Sequence, residues 1–223
     1  MQKFAVSYLL ICVVAVLLFI IGVLRNGTID YWYLPYNLLL ALLPLFFALG
    51  ARRIERRRKQ HNWQVTLLTI LWLLFLPNSF YIITDFIHLP ETNRVDIVQD
   101  VVMLMQFSIA GLIAGFYSLV LMHKLYQRYI SVFSVTTSSL AVLFLSSFAI
   151  FLGRELRWNS WDVILQPAKV LADSGAILFF PFAHLGAWSM IFSFFSVLAT
   201  LYLFTWQLLL KVRNVDGASS KKR

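Results

Sequence analysis

The chain has 223 residues, of which 60% are apolar and only 13% are charged, whereas soluble domains carry about 25% charged residues. This composition argues against a water-soluble fold, and the apolar residues lie in long blocks that approach or exceed the roughly 20 residues needed to cross a bilayer. The net charge of +9 does not indicate nucleic-acid binding, because the basic residues lie at the ends of apolar blocks rather than on a soluble face.

We therefore predict that the lipid bilayer surrounds an all-α, polytopic bundle of six transmembrane helices. The first apolar block is longer than the hydrophobic core of a signal peptide and no A-x-A-like cleavage site follows it, so we interpret it as a span. It contains Cys12, the single cysteine, which we interpret as a small core residue. Hydropathy places the spans near residues 4–24, 33–51, 63–83, 97–122, 132–152 and 185–210.

Three features refine this architecture. Pro77 has no backbone N–H to donate, so a kink is expected in the third helix. Gly111 and Gly115 form a G-x-x-x-G pattern in the fourth span, which allows another helix to approach closely. Residues 165–182 are too interrupted for a seventh span, which predicts an interfacial or re-entrant helix before the last span. Residues 1–214 are expected to form a single membrane domain, and residues 215–223 a disordered, basic cytoplasmic tail.

The distribution of Lys and Arg predicts the orientation. Loops and ends on one side of the six spans carry 14 of the 19 basic residues, including those of the run at residues 52–59. Basic residues favour the cytoplasmic side, so both termini are predicted to be cytoplasmic and the protein to lie in the cell membrane. Eight of the ten acidic residues fall on the opposite side. Acidic residues contribute little to orientation, so their concentration there suggests a site.

The first polar motif ends the third span as F-L-P-N-S-F-Y-I-I-T-D-F-I-H-L, residues 75–89. At 100° per residue, Asn78, Tyr81, Asp85 and His88 would fall on one stripe of a continuing helix. Polar side chains in a membrane helix face the bundle interior or a wet cavity. The stripe is therefore a candidate site at the extracytoplasmic end of the third span.

The second polar motif follows the fifth span as L-G-R-E-L-R-W-N-S-W-D, residues 152–162. Arg154 and Arg157 are three residues apart, which predicts a shared helical face with aromatic side chains nearby. Such a pair can hold an anion, and it can equally form an ion pair with Asp85 or Asp100. Because unpaired charges near hydrocarbon are costly, we expect both motifs to converge in one outer polar pocket.

The two motifs resemble those of the bacterial multi-pass family catalogued as domain of unknown function thirteen sixty-one. Its members are similar to F-L-P-N-x-x-Y-x-x-T-D-x-x-H and G-R-x-x-R-W-N-S-W-D, with two more spans between them, over nearly the whole chain. The resemblance implies an integral membrane protein without an assigned activity, so no catalytic role is transferred. The motif positions are Asn78, Tyr81, Thr84, Asp85, His88, Arg154, Arg157, Trp158, Asn159 and Asp162.

Three classes of function stay open. The first is an enzyme or binding protein for an anionic or lipid-linked substrate at the outer face, with Asp85 and His88 transferring protons. The second is a transporter or channel subunit, which the scarcity of charges in the inner halves of the spans disfavours. The third is a non-catalytic assembly or accessory protein. In the first class, the residues expected to bind the substrate are Asn78, Tyr81, Arg154, Arg157, Trp158, Asn159 and Asp162.

A metal site could combine Asp85 and His88 with Asp100 or His184. The D-x-x-H spacing is a weak signal, because it is common by chance and no stronger metal motif accompanies it. Glycine-rich phosphate loops and dinucleotide fingerprints are absent from the sequence. The sequence therefore identifies no cofactor, metal or oligomeric state.

Overall fold

Long apolar blocks form helices because a helix satisfies its own backbone hydrogen bonds where no water is available. The computed structural model describes residues 2–58, 62–91 and 97–220. Short 3₁₀ segments cover Ile82–Glu91 and Pro181–His184. The α-helices are α1 (Gln2–Asn26), α2 (Tyr33–Arg58), α3 (Trp63–Tyr81), α4 (Ile97–Tyr126), α5 (Val132–Glu155), α6 (Asp162–Leu165), α7 (Pro167–Phe179) and α8 (Leu185–Ser220).

In the part of the chain that the structure describes, six helical segments are long and apolar enough to cross a membrane, which confirms the predicted six-span architecture. The third segment includes the 3₁₀ turns after α3 and so runs further than predicted. The protein is therefore a multi-pass, all-helical membrane protein. The six segments are Phe4–Asn26, Tyr33–Arg57, Trp63–Leu89, Ile97–Tyr126, Val132–Glu155 and Pro181–Leu208.

The helices group into two compact units, Met1–Leu125 and Tyr126–Arg223, and each is described by itself. In the first unit, α2 and α3 pack along each other. In the second unit, α5 packs against α8. One membrane domain over residues 1–214 stays a prediction, because two groups of helices can belong to one domain.

Glycines allow α4 to pack closely on the end of α3 in the first unit. A Cβ atom at Gly115 would lie 2.6 Å from the Phe80 ring, and one at Gly111 would lie 2.8 Å from the Ser79 carbonyl oxygen. Contacts this short exclude any larger side chain unless the neighbours move. The G-x-x-x-G pattern therefore marks a real helix contact, as the sequence predicts.

A short helix precedes the last span in the second unit. Helix α7 has 13 residues, about 20 Å at 1.5 Å per residue, and begins with Pro167 at its first position, where a missing N–H costs nothing. It is too short to span, and its location at the membrane interface stays a prediction. The Ile177 side chain joins Phe151, Leu152, Ala187 and Ile191 in a buried apolar cluster. This cluster connects α7 to α5 and α8.

Helix α8 extends into the region predicted as the C-terminal tail. The helix continues to Ser220 and so includes residues 215–220, for which composition predicts disorder. The predicted disorder of residues 215–223 stays a prediction. Residues 221–223 of the predicted tail lie outside the described residues.

The orientation is testable with reporter fusions. Because basic loops stay cytoplasmic, fusions after Lys59, Tyr129 and Arg223 are expected to report a cytoplasmic location, and fusions after Glu91 and Asp162 an external one. Alkaline phosphatase and fluorescent-protein activities, compared at each position, measure the location. A cytoplasmic signal after Glu91 would overturn the predicted topology.

Candidate functional site

One face of α2 pairs with the polar motif at the end of α3. Residues spaced by four lie above one another on a helix, so Tyr33, Asn37 and Ala41 form a row along α2. Each member of this row contacts one member of the motif segment. The contacts are Tyr33 with His88 (ring centroids 5.3 Å apart), Asn37 Nδ2 with Asp85 Oδ2 (3.0 Å), and the Ala41 carbonyl with Ser79 Oγ (2.7 Å).

Asp85, the one acidic residue of this motif, is buried. Only 1% of its surface is exposed. A buried carboxylate requires hydrogen-bond donors to replace water, and the Asn37 amide supplies one of them. Thr84 next to it donates its hydroxyl to the Tyr81 carbonyl, at 2.7 Å, and so caps the end of α3. The predicted inward orientation of Asp85 is therefore confirmed.

The predicted polar stripe is wrong in its geometry beyond Tyr81. The chain changes there from an α-helix to a 3₁₀ helix, which has three residues per turn rather than 3.6. Asp85 and His88 still share a face because they are three residues apart. Asn78 lies on α3 and donates its side-chain amide to the Phe75 carbonyl at 3.1 Å, beside the Pro77 that lacks an N–H. Asn78 therefore adds a side-chain bond within the proline-containing turn, although the carbonyl that Pro77 leaves without its helical donor is that of Leu73.

A second buried carboxylate is connected to His88 through the side chains of two tyrosines. Asp100 is 2% exposed in the first turn of α4, where the helix dipole favours negative charge. The buried Tyr31 hydroxyl donates to its Oδ2 at 3.3 Å, and the Tyr31 ring meets Tyr33 edge-on, with centroids 6.1 Å apart. We call the whole group the acidic cluster. Its members are Tyr31, Tyr33, Asn37, Asp85, His88 and Asp100.

Removing Asn37 should destabilise the protein. We expect Asn37→Leu to lower the free energy of unfolding by about 1.5–3 kcal/mol, because the buried Asp85 carboxylate loses a charge-assisted hydrogen bond. Denaturation in mixed micelles measures the change. In the Asp85→Leu background the same substitution should cost much less. Equal costs in both backgrounds would show that Asn37 acts independently of Asp85.

The arginine motif of the second unit is a turn rather than a helix face. Helix α5 ends at Glu155, and Arg157 has the left-handed backbone angle φ of 59°. The prediction that Arg154 and Arg157 share a helical face is therefore wrong, because helical spacing no longer applies beyond the end of α5. Arg154 is half-buried in the last turn of α5, and Arg157 is exposed.

Four of the hydrogen bonds in this turn hold its backbone and join it to α7. The Leu152 carbonyl accepts from the backbone N–H groups of Leu156 (3.1 Å) and Trp158 (3.2 Å). The Asp162 carboxylate accepts from the Asn159 N–H at 2.7 Å. These three bonds fix the backbone on both sides of Arg157. The fourth joins the Trp158 indole Nε1 to Asp173 Oδ2 of α7 at 2.9 Å.

Trp158, Asn159 and Asp162 of the second motif each have a structural partner. The Trp158 ring packs against the cluster formed by α5, α7 and α8, and Asp162 closes the turn by accepting from Asn159. Contact of Trp158, Asn159 or Asp162 with a ligand stays a prediction. We call residues 154–162 the arginine turn. Its ordered backbone holds the exposed Arg157 guanidinium where it can bind an anion.

Three residues that take part in the acidic cluster or bond to the arginine turn are not identified from the sequence, although one of them has a recognisable sequence signal. Asn37 is a polar residue inside an apolar span, four residues after Tyr33, and such residues usually have a buried partner. Tyr31 could not be recognised, because tyrosines are common at membrane interfaces in any case. Asp173 lies 15 residues from Trp158, so no local spacing relates them.

The structure supports no metal site within residues 2–58, 62–91 and 97–220. In that part of the chain no three side chains among His, Cys, Asp and Glu come together as possible ligands. The acidic cluster and the arginine turn lie in different units, so the predicted approach of Asp85 to the two arginines stays a prediction.

Comparison with known proteins gives one family. No curated protein and no solved structure matches the chain. Residues 36–201 match the family described as "Protein of unknown function (DUF1361)", the same family that the two motifs resemble. The matched region covers well over half of the sequence and contains the arginine turn and every member of the acidic cluster except Tyr31 and Tyr33, which lie just before it. The chain therefore belongs to the DUF1361 family.

Proposed function

We propose that the protein binds or processes an anionic, lipid-linked substrate at its predicted extracytoplasmic face, with the arginine turn holding the anion. The observation that carries this proposal is the left-handed backbone of Arg157. A non-glycine residue there costs about 1–2 kcal/mol, and glycine is the usual residue at this position after a helix. An exposed arginine in a strained position suggests a functional role for its side chain.

The chemistry of the turn favours an anion. Arg157 is exposed, and Arg154 lies three residues before it in the last turn of α5. Guanidinium groups bind phosphate and carboxylate groups with two parallel hydrogen bonds. A membrane-embedded protein meets such anions on lipid carriers as well as in solution, which is why we propose a lipid-linked substrate.

The acidic cluster supplies the groups we propose for proton transfer. His88 is half-buried beside the Tyr33 ring, closer to the end of the segment than Asp85, and so is the member better placed to meet a substrate. Asp85 is buried and bound by Asn37, which suits a residue that positions and polarises its neighbours. Asn78 and Tyr81, both half-buried and three residues apart on α3, are proposed as further binding residues.

Ligand-induced stabilisation of the purified chain tests this proposal. A ligand at a hundredfold excess over its Kd stabilises by about 2.7 kcal/mol, which corresponds to a rise in Tm of about 5–10 °C for a protein of this size. We expect this rise with polyprenyl phosphate and not with the uncharged polyprenol. Inorganic pyrophosphate tests whether the anion suffices without the lipid.

Two variants assign the binding to the arginine turn. Arg154→Gln should lower the affinity for polyprenyl phosphate, because it removes one guanidinium. Arg128→Gln removes an exposed basic residue from the connection between α4 and α5 and serves as the matched control. Equal stabilisation by polyprenol and polyprenyl phosphate, or equal loss in both variants, would contradict an anion site at the arginine turn.

A further inference from the structure

A large apolar groove lies between α1, α2 and α4, away from the acidic cluster. Its volume is about 550 Å³, within the range of about 300–1,000 Å³ found for ligand pockets. Its lining is almost entirely apolar and includes Ala5, Cys12, Leu42, Leu49 and Tyr117. These walls suit a hydrocarbon chain and offer little to a polar ligand.

The groove opens sideways rather than along the helix axes. Leu9 of α1 and Phe46 of α2 both line it and are 63% and 61% exposed. The hydroxyl of Tyr8, another lining residue, donates to the Ala110 carbonyl at 3.0 Å and so is directed away from an occupant. A hydrocarbon chain could therefore enter from the surrounding bilayer without passing a polar barrier.

The direction of the helices identifies one end of the groove. Helix α1 runs antiparallel to α4, because Tyr8 bonds to Ala110 whereas the later Ile11 accepts from the earlier Gln106. The Phe4 ring lies 4.2 Å from the Tyr117 ring, so the start of α1 meets the later part of α4. The groove therefore ends where α2 and α4 approach their C-terminal ends.

Basic side chains continue the groove at this end. At 100° per residue, Arg53 and Arg56 fall on the same sector of α2, about 100° wide, as the lining residues Leu42 and Leu49. They lie about 6 and 10 Å beyond Leu49 along the axis, and both are exposed. On α4, the exposed Lys124 lies seven residues after Tyr117, which is two turns along the same face.

An apolar groove with cations at one end matches an anionic phospholipid. We propose that the groove binds one acyl chain of such a lipid, with its headgroup phosphate held by Arg53 and Arg56. Guanidinium groups bind phosphate bidentately, and basic clusters beside membrane helices attract anionic lipids. The positive-inside rule explains the presence of basic residues here but not their alignment with a groove. The lipid site does not depend on the function proposed for the arginine turn.

Native mass spectrometry of the purified full-length chain tests the site with phosphatidylglycerol and phosphatidylcholine. We expect phosphatidylglycerol to bind at least tenfold more tightly, because the choline cation of phosphatidylcholine offsets the charge of its phosphate. The double variant Arg53→Gln, Arg56→Gln should reduce its affinity to that of phosphatidylcholine. Leu49→Trp should fill the groove and weaken both lipids at least tenfold, and Ala5→Trp, from the opposite wall, serves as a second filling variant.

Two controls complete the experiment. Leu39→Trp places the same side chain on an exposed part of α2 outside the groove and should leave both affinities unchanged, as should Arg128→Gln. The double arginine variant should also still bind polyprenyl phosphate, which separates this site from the arginine turn. Equal binding of the two lipids by the wild type would show a non-specific lipid coat and overturn the proposal. So would binding that persists in correctly folded filling variants.

Discussion

Replacing Gly115 with alanine is expected to lower the free energy of unfolding by about 1–3 kcal/mol, the usual cost of overpacking. Its added Cβ would lie 2.6 Å from the Phe80 ring and 2.9 Å from the Ser79 Cβ. Both neighbours are fully buried and cannot move outward. Gly111→Ala should behave similarly, because its Cβ would meet the Ser79 carbonyl oxygen and the Ile82 side chain.

Denaturant titration in mixed micelles measures these losses. Gly186→Ala is the matched control, since a Cβ there meets no atom within 4 Å. Alanine favours a helix over glycine by up to about 1 kcal/mol, so this variant should be neutral or more stable. Phe80→Leu should partly rescue Gly115→Ala by making room. A Gly115→Ala protein as stable as the wild type would contradict the close packing of α4.

Arg157→Gly is expected to move stability and binding in opposite directions. Glycine adopts the left-handed backbone without strain, so the variant should gain about 1 kcal/mol in unfolding free energy. Loss of the guanidinium should weaken the binding of polyprenyl phosphate at least tenfold, since a hydrogen bond to a charged group contributes about 1.5–3 kcal/mol. Replacing a residue that lowers stability but contacts a ligand is expected to raise stability and weaken binding together.

A second variant separates the backbone from the side chain. Arg157→Ala also removes the guanidinium but keeps the Cβ, so it should lose binding without gaining stability. Leu156→Ala changes the preceding exposed residue and should retain binding. Calorimetry and unfolding measurements on the same preparations give both quantities. A more stable Arg157→Gly protein that binds polyprenyl phosphate as tightly as the wild type would contradict anion binding by the arginine turn.

The six spans could be predicted because lipid imposes a strict requirement on the backbone. Every peptide group in hydrocarbon needs an internal partner, so each crossing appears as a long apolar run. The change to a 3₁₀ helix after Tyr81 could not be predicted from such runs. It depends on local packing, where Thr84 donates to the Tyr81 carbonyl and Ile82 is buried against α4.

The candidate residues could be predicted better than their geometry. The sequence indicates Asp85 and His88 as polar residues in an apolar context, but it does not contain the register that places Asn37 opposite Asp85. That register is set by the packing of α2 on α3, which neither segment specifies alone. Arg157 shows the same limit, because its spacing from Arg154 suggests a helix that ends two residues before it.

The most direct test of the proposed function is side-specific labelling of a single cysteine beside Arg157. Leu156→Cys in a Cys12→Ala background places an exposed thiol there. In right-side-out vesicles, we predict that a membrane-impermeant maleimide labels this cysteine from outside. We also predict that polyprenyl phosphate, but not polyprenol, slows the labelling. Labelling only after permeabilisation, or a rate that polyprenyl phosphate does not change, would contradict an anion-binding site at the extracytoplasmic face.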